Sequence, residues 1–84
     1  MTLAQTVQTA DWPRDERRLY ATLAADPQRV FTKENLLAEV YPGDSSASVR
    51  RLDALAARVR QRVMDTTGER AIANIWGVGY RYAA

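Results

Sequence analysis

Cysteine and histidine are absent from this chain of 84 residues, and phenylalanine occurs once. Their absence removes disulfides, thiolate nucleophiles, imidazole proton transfer near neutral pH and the usual zinc ligands. Ser45, Ser46, Ser48, Thr66 and Thr67 lie in polar stretches with no triad partner, and Asp65 and Glu69 are too isolated to argue for a metal. The chain therefore reads as non-enzymatic, with no cofactor implied. No segment approaches the apolar length of a membrane span, and the opening MTLAQTVQTADWP has neither a basic start nor a continuous apolar core. The expectation is one soluble, cytoplasmic domain, whose core suffices without staples and which has no membrane partner.

The net charge is only +2, but it is unevenly spread. Residues 1–45 carry five basic and seven acidic side chains, and residues 46–84 carry seven basic and three acidic. The positive field thus belongs to the second half. Eleven of the twelve basic residues are arginine, whose planar fork suits bidentate contacts to phosphate and guanine. A GC-rich genome, which would also supply the many alanines, is an equally good explanation of that bias.

Weak alternation of Leu3, Gln5, Val7 and Thr9 makes residues 1–11 an edge strand or a flexible arm. A first helix is predicted from Pro13, with Asp15 and Glu16 at its positive end and Leu19, Tyr20 and Leu23 as its apolar stripe, ending at Asp26-Pro27. Thr32 is a good N-cap for a second helix whose core face is Leu36, Leu37, Val40 and Tyr41, stopped by Pro42-Gly43-Asp44. A third helix, capped by one of Ser45, Ser46 or Ser48, runs to about Met64, and Thr67-Gly68-Glu69 turns the chain. The end, IANIWGVGYRY, describes two short strands around a tight turn, with Gly77 and Gly79 supplying positive φ.

The third helix divides into faces at about 100° per residue. Leu52, Leu55, Ala56, Val59 and Val63 make one apolar stripe. Opposite lie Arg50, Ala54, Ala57 and Gln61, flanked on one side by Arg51, Arg58 and Arg62 and on the other by Asp53 and Arg60. A face small at its centre and basic along its edges suits entry into a major groove, where short side chains let the backbone approach the bases. An ordinary solvated face has the same composition, and the helix alone does not choose between the two.

Taken in order, WPRDERRLYATL, PQRVFTKENLLAEVY, RRLDALAARVRQRV and the closing IWGVGYR resemble the winged-helix output domains of OmpR/PhoB-type response regulators, from about Trp12 to Tyr82. The G-x-G-Y-R ending is the most specific piece. The resemblance implies an α+β, mainly α, winged helix-turn-helix over residues 12–84. Three helices and a C-terminal β-hairpin wing are expected, with the N-terminal sheet reduced to at most one strand. It also implies that the third helix lies in the major groove and the wing touches the adjacent minor groove. Carried over by position, Arg50 and Arg60 match phosphate-contacting arginines, Arg58 an arginine that reads base edges, and Arg51 and Asp53 further base or near-base contacts. Tyr41 stands for a tryptophan that braces the second helix on the backbone, and Tyr80 for a wing tyrosine that donates to a phosphate. With Ala54, Ala57, Gln61, Arg62, Trp76, Gly77 and Arg81 these are the candidate DNA-binding residues. Leu55 and Ala57 depart from the family's polar positions, and Trp76 replaces a minor-groove arginine. A tryptophan at a strand end more often covers a core edge than wedges into DNA, so Trp76 is expected to be structural.

The resulting expectation is a small, sequence-specific double-stranded DNA-binding transcriptional regulator, bacterial or phage and nucleoid-associated. It would be monomeric in solution or assemble in tandem on DNA. With no receiver visible in the chain, it reads as a stand-alone output domain not controlled by phosphorylation within the chain. Two alternatives keep the fold: an adaptor for RNA polymerase or another regulator, and an architectural DNA-binding protein with little base preference.

Overall fold

The computed structural model describes residues 7–83. Helix α1 (Arg14–Ala24) follows Pro13, whose fixed φ of −53° is already near the helical value. Asp15 and Glu16 lie in its first turn, and Glu16, Leu19, Tyr20 and Leu23 form its buried stripe. Strand β1 (Phe31–Thr32) leads directly into α2 (Lys33–Val40), where Thr32 caps the helix by accepting from the Asn35 amide at 3.1 Å. Of the three candidate serines, Ser48 caps α3 (Val49–Thr67), accepting from the Arg51 amide at 3.2 Å. Gly68 closes α3 with a left-handed φ of 77°, and the helix runs to Thr67, three residues beyond the expected end at Met64. Strands β2 (Ile72–Ile75) and β3 (Gly79–Tyr82) complete the chain.

The sheet is antiparallel with order β1-β3-β2, so the hairpin is not isolated. Phe31 stands opposite Tyr80 and Thr32 opposite Gly79, while Ile72, Asn74 and Ile75 face Tyr82, Tyr80 and Gly79. The β1 strand is the element the sequence reading did not contain. Among the described residues the architecture is otherwise that of a winged helix: three helices with a small sheet, mainly α.

Leu19, Leu23, Leu36, Leu52, Leu55, Val59, Val63, Ile72 and Tyr82 are fully buried between the helices and the sheet. Burial of such aliphatic side chains stabilises by roughly 1.5–3 kcal/mol each. Tyr82 and Tyr20 meet edge-to-face at 5.7 Å with their hydroxyls 3.3 Å apart, and Trp12 meets Tyr20 at 5.5 Å. Burial, and then the Tyr82 hydroxyl, pushes the Tyr20 phenol above its ordinary value.

Two sequence expectations change. Gly77 does adopt a positive φ of 74°, but Gly79 does not. Gly79 is required instead because any Cβ there would overlap the Phe31 carbonyl oxygen of the neighbouring strand. Of the strand or arm expected over residues 1–11, residues 1–6 lie outside the described residues. Residues 7–11 form no strand; Val7 is buried, and the Trp12 amide closes a turn on the Thr9 carbonyl.

Candidate nucleic-acid interface

Helix α3 buries the five apolar residues that its periodicity marks, which turns Arg50, Ala54, Ala57 and Gln61 outward together. Gln61 is occupied locally, donating to Asp65 one turn on at 2.8 Å. The freely presented part of the face is therefore its first half, where Arg50 precedes two alanines that keep the surface low.

The arginines along the α1 edge are tethered from below. The Glu16 carboxylate, only 5% exposed, accepts from Arg62 Nε, and Arg58 Nε stands 3.7 Å from its other oxygen. Arg62 also lies 5.6 Å from the centre of the Trp12 ring. Arg62 is thus the more closely held of the two, at 43% exposed against 53% for Arg58. At the start of the helix, Arg51 reaches Asp44 at 3.1 Å and stacks 4.2 Å from the Tyr41 ring. Tyr41 is buried and spends its hydroxyl on Asp15 at 3.3 Å, so it serves as a platform for Arg51. Hydrogen bonds from Ser46, and secondarily Arg51, hold the Asp44 carboxyl below its ordinary range.

The opposite edge joins the helix to the wing. Asp53 accepts from the Tyr80 hydroxyl at 2.6 Å and pairs with Lys33 at 3.0 Å. That hydroxyl lowers the Asp53 carboxyl, with Lys33 acting in the same direction, while burial and then Asp53 raise the Tyr80 phenol. Tyr80 is buried, and the hydroxyl expected to meet a phosphate is directed at Asp53 instead. Farther along, Arg60 Nε donates to the Ile72 carbonyl at 3.1 Å, pinning β2 to α3. Arg81 is half-buried on β3 opposite Ala73, and its Nε has no hydrogen-bond partner among the described residues.

Trp76 departs from expectation. It covers no core edge: it is 93% exposed at the hairpin tip, beside Gly77 and the half-exposed Val78. The turn is closed by the Val78 amide on the Ile75 carbonyl at 2.9 Å.

The structure thus gathers Arg50, Ala54, Ala57, Arg58 and Arg51 on one outward surface, ties Arg62 through its Nε to Glu16, and engages Tyr80 and Asp53 with each other. The sequence reading missed Glu16 and Lys33 as the residues that hold this arrangement. Glu16 was detectable, since its spacing of three, four and seven residues from Leu19, Tyr20 and Leu23 sets it on the buried stripe. Lys33 had no such signal, because its partners come from α3 and β3. Among the described residues there is no cluster of acidic, Cys or His side chains able to hold a metal ion, and no helix long and apolar enough to cross a membrane.

The pattern of the family described as "Transcriptional regulatory protein, C terminal" matches residues 8–82. The transcriptional regulatory protein SrrA of Staphylococcus aureus is 35% identical over 69 residues, which are 80% of this chain and 29% of SrrA. This chain therefore spans less than a third of that relative. The response regulator DrrB of Thermotoga maritima, an OmpR/PhoB homologue, superposes with a TM-score of 0.72 at 32% identity, over 86% of this chain and 33% of DrrB. The DNA-binding domain of the response regulator AdeR, solved in complex with an intercistronic region, superposes with a TM-score of 0.75 over 88% of this chain and 74% of that domain. At 24% identity it speaks to the fold alone.

Proposed function

This chain belongs to the family of C-terminal DNA-binding domains of OmpR/PhoB-type transcriptional regulators, and on that premise we propose that it binds double-stranded DNA sequence-specifically, with α3 in the major groove and the β2–β3 wing at the adjacent minor groove. The observation that carries the reading is the first half of α3. Arg50 and two alanines lie outward there, and Arg51 and Arg58 flank them, each oriented by an acidic partner. Low relief at the centre lets the helix backbone approach base edges, and the arginines at the margin match phosphates or guanine. Arg58, the more exposed of the two arginines near Glu16, reads a base edge. Arg50 and the outer nitrogens of Arg60 neutralise phosphate. Regulation of transcription follows by occupancy of a promoter-proximal site, by single copies or by copies on half-sites about one helical turn apart.

Selection of binding sites from a random duplex pool, followed by salt titration on enriched and scrambled sequences, tests this. A motif bound ~10³-fold or more above scramble is the expected result. Equal affinity for all sequences with steep salt dependence would instead identify an architectural protein. No binding at low salt would turn the same surface into a site for RNA polymerase or another regulator.

A further inference from the structure

Trp76 is the largest apolar side chain left in water, and its position is held rather than loose. Gly77 takes a left-handed φ of 74°, the Val78 amide closes the turn, and the Val78 carbonyl accepts from the Lys33 amide at 3.3 Å. The tip is thus tied to the start of α2, whose Lys33 ammonium rests on Asp53 of α3. The hairpin runs alongside α3 in a definite direction. Ile72 lies at Arg60, and Tyr80, paired with Asn74, lies at Asp53 one half of the helix earlier. β2 ends at Ile75, and Trp76 begins the turn at the opposite end of that strand from the Ile72 contact with Arg60. Arg70 and Arg81 are the charged residues from position 70 to the end of the chain, with no acidic side chain among them. An indole presented on a hairpin that has no acidic side chain, and whose one charged residue is Arg81, complements a polyanion that also offers flat apolar faces.

We infer that Trp76 is a DNA wedge: with α3 in the major groove, its indole enters the neighbouring minor groove and stacks into a base step, making a deformable step part of the recognised sequence. The inference rests on the DNA-binding reading above. Apolar wedges of this kind partly unstack a step and kink the duplex, and pyrimidine–purine steps are the easiest to open. The indole N–H is a donor suited to the acceptors that every base pair shows in that groove. Because the ring is neutral, its contribution releases no counterions and does not change with salt, unlike that of an arginine at the same place.

The experiment uses the whole chain and a duplex of about three helical turns carrying the sequence enriched by selection. Trp12, only 9% exposed, is the other tryptophan, so wild type minus W76F reports the emission of Trp76. Expected are quenching of that emission on binding and about tenfold weaker binding by W76A at every salt concentration. W76F retains most of the affinity, and replacing a flexible step under the wing by an A-tract weakens wild type but not W76A. Wild-type affinity in W76A, with Trp76 emission unmoved by a duplex that wild type binds, overturns the wedge and leaves the DNA reading standing. Failure of wild type to bind any duplex overturns both. Emission that changes with protein concentration alone, and not further with DNA, overturns the wedge in favour of contact with a second copy.

Discussion

Arg62 of α3 donates to the Glu16 carboxylate of α1, a charge-assisted contact in which the acid is 5% exposed and the arginine 43%. Losing the charge from such a buried acceptor is destabilising, because the guanidinium loses its counter-charge while the site stays partly closed to water. Glu16→Gln is expected to lower the unfolding free energy by about 1–3 kcal/mol, read from the urea midpoint. Arg58→Ala, whose Nε stands 3.7 Å away, should move the midpoint far less. An unchanged midpoint in Glu16→Gln would show that the pair is incidental.

The DNA reading separates arginines by role. Arg50→Ala should weaken enriched and random duplexes alike and reduce the slope of log affinity against log salt by about 1. Arg58→Ala should cost roughly 1–3 kcal/mol on the enriched sequence and relax preference at one base position. Equal losses on enriched and random DNA for Arg58→Ala would remove it from base reading.

The pH dependence of stability follows from the Asp53–Tyr80 pair. The Asp53 carboxyl lies below its unfolded value, near 3.9, chiefly because the Tyr80 hydroxyl donates to it. Its stabilisation is therefore complete above that value and is lost as pH falls through the folded one. Asp44 acts in the same direction, through Ser46 first. Tyr80 and Tyr20 are raised by burial, so their stabilisation holds below about pH 10 and is lost as pH rises through their folded values. Chemical denaturation from pH 7 downward should show the stability gap between wild type and Asp53→Asn narrowing below about pH 4. A gap that stays constant would mean that Asp53 acts by packing alone.

The two wing glycines should respond differently to alanine. At Gly77 a Cβ meets open space, and the cost is that of a left-handed φ, about 1–2 kcal/mol. Gly77→Asn should recover part of it, since asparagine tolerates that region. At Gly79 a Cβ meets the Phe31 backbone, so β1 must move or the sheet must open. Gly79→Ala and Gly79→Asn should both destabilise, by about 1–3 kcal/mol or more, in thermal unfolding. Rescue of Gly79 by asparagine would contradict the close-approach explanation.

Much of this molecule was legible from local chemistry. The apolar stripes of α1, α2 and α3, the Thr32 cap, the serine cap before α3 and the turn at Gly68 each depend on residues within a turn or two of one another. The sequence therefore determined where the helices lie and which face of α3 is outward. Periodicity alone put Arg50, Ala54 and Ala57 on the same surface.

What only the tertiary structure decided are the relationships that span the chain. Strand β1 is two residues long and exists because β3 offers it an edge, a pairing of Phe31 with Tyr80 that no local pattern encodes. Arg58 and Arg62 look equivalent on the helix, and it is the carboxylate from α1 that takes Arg62 Nε into a hydrogen bond and leaves Arg58 Nε 3.7 Å away. Tyr80 and Trp76 differ in burial in a way that their positions in the sequence do not show. The pleat turns Tyr80 into the core, where its hydroxyl finds Asp53, while the turn at Gly77 carries Trp76 clear of the core. Side-chain periodicity tells which way a residue points relative to its own element, whereas its exposure and its partners depend on what another element places there.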